Sequence, residues 1–112
     1  MKTAFFPGSF DPFTLGHKDV VLASVELFDK VIIGVGHNST KKGLIPTEGR
    51  MEIIEKSIAD LKANGSNIEV ISYSGLTIDA CRKVDAKFII RGVRTTADFE
   101  MESVIAQANK RL

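Results

Sequence analysis

Apolar runs and amphipathic segments alternate along the whole chain, and this alternation narrows the possible folds more than any other feature. TAFF (3–6), KVIIGV (30–35), NIEVISY (67–73) and KFIIRG (87–92) read as strands. KVIIGV is β-branched and nearly continuous, which suits a strand covered on both faces. Between the strands the spacing becomes helical. Residues 16–28 place His17, Val20, Val21, Ser24, Leu27 and Phe28 on one face. Thr47 is the predicted N-cap of a helix whose stripe is Met51, Ile54, Ile58 and Leu61 and which stops near Asn64 and Gly65. Residues 76–84 predict a short helix. Residues 97–112 predict a last one, with Met101, Val104, Ile105, Ala108 and Leu112 spaced for burial. Four β-α repeats in succession imply an α/β domain: a Rossmann-like parallel sheet with helices on both faces and right-handed crossovers. Ligands of such sheets collect at the carboxyl ends of the strands, here the loops 7–15, 36–46, 74–75 and 92–96.

Size and charge limit what those loops can hold. The 112 residues fit a single domain with a hydrophobic core. A net charge of +1 gives no broad attraction to nucleic acid or an anionic membrane, so neither is predicted as a partner. Anion binding must come from a few placed groups. One cysteine, Cys81, rules out an internal disulfide; it falls mid-helix and reads as buried and inert. The apolar stretch at the N-terminus is too short for a signal-peptide core, and no run approaches the ~20 residues of a membrane helix. A cytoplasmic location follows as the expectation. His37 has no partner at metal-ligand spacing, so no protein-built metal site is predicted.

The first of these loops, GSFDPFTLGH (8–17), is the richest in unusual residues. Gly8 allows a ligand to approach the backbone, and Asp11-Pro12 marks a tight turn. Gly16 and His17 fall in the first turn of a helix, whose unpaired N–H groups favour a phosphate. The imidazole of His17 can donate a hydrogen bond to a phosphate oxygen, and Ser9 and Thr14 add hydroxyls. A well-capped turn with a surface histidine is the plainer alternative. The full spacing, G-S-F-D-P followed by T-x-G-H, favours a phosphate-handling loop. GVGHNS (34–39) lacks the third glycine of a dinucleotide fingerprint and opens no helix.

Lys41 and Lys42 lie in the second loop, where an ammonium can meet a phosphate or simply be solvated. Arg91-Gly92-Val93-Arg94 ends the fourth strand, as a phosphate clamp or as partners of Asp98, Glu100 or Glu102.

Taken in order, PGSFDPFTLGH, NSTKK, SYSGLT and IRGVRTTADFEME resemble the bacterial phosphopantetheine adenylyltransferases, within the nucleotidyltransferases that carry the T/H-x-G-H signature. The resemblance runs from Lys2 to Leu112. It implies transfer of AMP from ATP to 4′-phosphopantetheine, giving dephospho-coenzyme A and pyrophosphate in coenzyme A biosynthesis, with Mg2+ accompanying the ATP. It further implies that His17 is catalytic and that Ser9, Phe10, His17, Gly92, Val93, Arg94 and Glu102 contact ATP. Ser9, Lys41, Thr77 and Arg91 would hold phosphopantetheine. Family members are hexamers, so a homo-oligomer is implied as well. The family pattern continues with a further strand and an I-S-S-T-x-x-R segment that nothing in these residues matches. The sequence therefore reads as one nucleotidyltransferase domain, 1–112, short of its C-terminal third. Two other readings stay open: a sister nucleotidyltransferase with another phosphate acceptor, and a non-catalytic ligand-binding fragment.

Overall fold

In the computed structural model, residues 1–37 and 45–91 are described in full and residues 92 and 99–103 through their backbone. The elements are β1 (Thr3–Gly8), α1 (Leu15–Leu27), β2 (Lys30–Gly36), α2 (Thr47–Ser57), α3 (Ala59–Ala63), β3 (Ile68–Tyr73), α4 (Thr77–Lys83), β4 (Phe88–Gly92) and β5 (Phe99–Ser103). The sheet order is β3-β2-β1-β4-β5. The first four strands are parallel, as the alternation predicts, and β5 is antiparallel to β4.

Strand pleating divides the core in two. Ala4, Phe6, Val31, Ile33, Val35 and Ile90 face one side, where α1, α2 and α3 add Val20, Val21, Ile54, Ile58 and Leu61. Phe5, Ile32 and Ile89 face the other, against Ile78, Ala80 and Cys81 of α4. Helices thus cover both faces, the arrangement that right-handed crossovers require when the chain runs from β1 out to β3 and then back past β1 to β4. The strand order reverses between β1 and β4. Cys81 is fully buried, and burial pushes its thiol up to about 11.

Four expectations are corrected. β1 does not stop before Pro7: its pairing with β2 continues through Pro7↔Gly34 and Gly8↔Val35. The ladder with β4 reaches only Phe5↔Ile89, so the missing N–H of Pro7 is tolerated. Thr47 is the first helical residue and Pro46 the N-cap, because the Thr47 hydroxyl is engaged by Arg50 and His37 instead of the helix backbone. Leu27 is exposed, since α1 ends at that residue and Phe28 enters the core in its place. Residues 97–112 do not form one helix: Phe99–Ser103 is a strand. Phe99, Met101 and Ser103 alternate with Glu100 and Glu102, a period of two that competes with the helical spacing, and the edge of β4 supplies backbone partners.

Candidate functional site

Loop one connects β1 to α1, and its form follows from a few local bonds. Phe10 has φ 48, a left-handed conformation, and turns its ring back over Gly8. A Cβ at Gly8 would stand 2.9 Å from that ring, so only glycine fits there. Phe6, Phe10 and Phe13 pack in sequence, with centroids 5.2 and 5.6 Å apart, and the Asp11–Pro12 peptide is cis. The Asp11 carboxylate accepts the Ile45 N–H at 2.9 Å, which ties the loop to the entry of α2.

His17 stands on this aromatic base, 5.0 Å edge-on from Phe10 and 5.4 Å from Phe13. The T-x-G-H motif is a capping box. Thr14, the N-cap, accepts the His17 N–H on its hydroxyl at 3.3 Å, and the Thr14 N–H donates to His17 Nδ1 at 2.9 Å. Histidine here does what glutamate or glutamine does in most such boxes. An N–H can only donate, so Nδ1 carries the lone pair and the neutral ring has its proton on Nε2. No bond to Nε2 is found among the described residues, so the helix start delivers one oriented donor.

Burial holds the His17 pKa below its ordinary 6.5, and the donor at Nδ1 opposes protonation there as well. The neutral ring is favoured in the folded chain. Its contribution to stability is complete above about pH 6.5 and is lost as pH falls through the lower folded value. Urea midpoints compared at pH 7.5 and pH 5.5 should therefore drop further in the wild type than in His17→Gln.

Beside loop one, a cleft of about 460 Å³ opens above the carboxyl ends of β1, β2 and β3. Gly8, Ser9, Gly36, His37, Tyr73 and Thr77 are among its walls. The Tyr73 hydroxyl lies 3.0 Å from Thr77 Oγ1, so the end of β3 and the start of α4 share a polar pair at the cleft. His37 Nδ1 lies 3.0 Å from Thr47 Oγ1.

The predicted site residues fall into three groups. Ser9 and Thr77 meet in the cleft, and Phe10 and His17 lie on loop one beside it. Arg91 and Gly92 end β4 on the predicted edge, the Arg91 side chain exposed and its backbone opposite Glu100. Glu102 pairs with Ile89, three rungs back from Gly92, and its side chain lies outside the described residues, as do Lys41, Val93 and Arg94. Among the described residues no group of three His, Cys, Asp or Glu could hold a metal ion, and no helix is long and apolar enough to cross a membrane.

Sequence reasoning missed Arg50, Tyr73 and His37. Arg50 is buried, donating from Nη1 to the carbonyls of Ser9 (2.5 Å) and Gly36 (3.4 Å) and from Nη2 to Thr47 Oγ1 (2.9 Å). One signal was present: Arg50 lies four residues before Ile54, a charge on the apolar stripe of α2.

Residues 5–112 match the cytidylyltransferase-like family. The whole chain is 49% identical to the phosphopantetheine adenylyltransferase of Flavobacterium psychrophilum and 48% identical to that of Phocaeicola vulgatus, spanning 72% of each relative. That of Clostridium botulinum is 46% identical, with 68% of its length spanned. Among solved structures, a lipopolysaccharide core biosynthesis protein from Thermoplasma volcanium aligns over 80% of this chain and 72% of its own, with TM-score 0.61 and 21% identity. NadR, solved with NAD and AMP-PNP, aligns over 65% of this chain and 20% of its own, with TM-score 0.55 and 22% identity. Both likenesses are of fold.

Proposed function

The chain belongs to the phosphopantetheine adenylyltransferases, nucleotidyltransferases of the cytidylyltransferase-like family, and on that premise we propose how its residues carry the reaction. A phosphate oxygen of 4′-phosphopantetheine attacks the α-phosphorus of ATP. The new oxygen–phosphorus bond forms as the bond to the β-phosphate oxygen breaks, giving dephospho-coenzyme A and pyrophosphate. The attacking phosphate is already ionised, so the protein need supply no strong base. Its task is to position two anions and to aim donors at the charge that develops between them.

The observation that carries this reading is the preset His17 donor. Its Nε2–H is oriented by the capping box before any nucleotide arrives and stays a donor whichever way the ring titrates. His17 stabilises the transition state. Ser9, Phe10, Gly92, Val93, Arg94 and Glu102 complete the ATP side, and Ser9, Lys41, Thr77 and Arg91 the acceptor side. No group of three His, Cys, Asp or Glu among the described residues could hold magnesium, which would be carried on the ATP phosphates and would supply charge neutralisation there. The protein acts in the cytoplasm as a homo-oligomer.

Pyrophosphate release, assayed with ATP or CTP against a panel of phosphorylated acceptors, tests the assignment. ATP with 4′-phosphopantetheine should give the highest kcat/KM; preference for another acceptor would reassign the substrate, and binding without release would make the protein non-catalytic. Thr77→Val should raise the acceptor KM about fivefold, the worth of one hydrogen bond, and leave kcat within twofold. An unchanged KM would remove Thr77 from the acceptor side.

A further inference from the structure

We propose that Arg50 is a positioning residue: it turns the Ser9–Phe10 peptide so that the Phe10 N–H faces the site as a donor for a nucleotide phosphate. This rests on the reaction proposed above and extends it to a residue that the motif does not contain.

Three observations lead there. First, Arg50 is only 8% exposed, and no carboxylate lies within ion-pair distance of it among the described residues. Its charge is met by backbone carbonyls and one hydroxyl, and its Nε has no partner among the described residues. For stability alone such a charge is a poor occupant of an apolar stripe, where a side chain like that of Ile54 would serve better. Second, the carbonyls it holds are at functional points: Ser9 in loop one and Gly36 at the end of β2, both cleft residues. Third, a trans peptide is planar, with its C=O and N–H pointing in opposite directions. Fixing the Ser9 carbonyl on the guanidinium therefore fixes the Phe10 N–H away from it. That N–H has no hydrogen bond among the described residues, and the left-handed φ of Phe10 then sets its ring under His17. One guanidinium thus orients a backbone donor and steadies the ring on which the imidazole rests.

Inorganic pyrophosphate serves as the probe, read on the full chain by amide NMR and by calorimetry. In the wild type, pyrophosphate should shift the Phe10 amide while the core amides of Val21 and Ile33 stay in place. Arg50→Met should bind pyrophosphate at least tenfold more weakly and displace the free Phe10 amide signal. Arg50→Lys, which keeps the charge and one donor point, should recover part of the loss. A folded Arg50→Met that binds pyrophosphate within twofold of the wild type would overturn the proposal. So would a wild-type Phe10 amide that pyrophosphate leaves unmoved, a measurement that needs no variant to fold. Neither readout requires turnover, so a wrong acceptor would show only in the pyrophosphate-release assay and would leave the Arg50 result standing.

Discussion

Replacing His17 with alanine should lower kcat for pyrophosphate release by roughly 10²–10³-fold, the usual cost of removing one preorganised donor to a developing charge. Acceptor affinity should change by less than threefold. The substitution also removes half of the capping box, a loss of about 1 kcal/mol. Those two consequences can be separated. Glutamine is an ordinary partner in a capping box, so His17→Gln should recover most of the alanine variant's lost stability without recovering turnover. Rates read by pyrophosphate release and stabilities read by urea unfolding, on the same two variants, make the comparison. If His17→Gln restores both, the histidine is only a cap. If the alanine variant loses acceptor affinity as much as kcat, its role is not at the transition state.

The second large effect concerns Gly34, in the middle of β2. A Cβ at this position would fall 2.1 Å from the tip of the Phe5 ring and 2.8 Å from the ring atoms beside it. Phe5 is fully buried, so the ring cannot swing into solvent. Gly34→Ala should cost about 1–3 kcal/mol, the range for overpacked cores, and should lower the thermal midpoint by several degrees. The displacement has a direction as well. Phe5 packs edge-on against Tyr73 at 5.4 Å, and Tyr73 lines the cleft beside Thr77. Strain at Gly34 should therefore appear as a raised acceptor KM before it appears in kcat. Phe5→Leu in the Gly34→Ala background shortens the clashing side chain and should restore part of the stability. Simple additivity of the two losses would mean that the ring and the new methyl do not meet.

Much of this could be read in the sequence, and the exceptions have physical causes. KVIIGV and KFIIRG are strands by composition, and the order of segments leads to the parallel sheet and its carboxyl edge. Residues 99–103 were misread because FEMES carries a period of two inside a segment whose apolar residues also fit a helix. The T-x-G-H spacing pointed to a phosphate loop, but not to the bond that orients the imidazole, because a histidine is not the residue one expects in a capping box. Arg50 was hidden for a different reason. Beyond the nearby Thr47 hydroxyl, its partners are backbone carbonyls of Ser9 and Gly36, far away in sequence, and carbonyls leave no trace in side-chain identity. Thr77 came only from the family resemblance, since a threonine opening a short helix is unremarkable by itself.

In the assignment proposed above, the sheet stands between the transition-state donor His17 and the acceptor residue Thr77. His17 and Arg50 ride on helices that pack against one face, while Thr77 opens the helix that packs against the other. Within the core, a lesion in one layer reaches the opposite layer through a stiff, hydrogen-bonded partition. On that assignment the contacts of His17 and of Thr77 can be weakened separately, by small cavities placed under one side or the other, whereas Ser9 serves both substrates. On the proposed assignment, repacking around Cys81 and Ile78 should change the acceptor KM and leave the imidazole on the far side of the partition undisturbed.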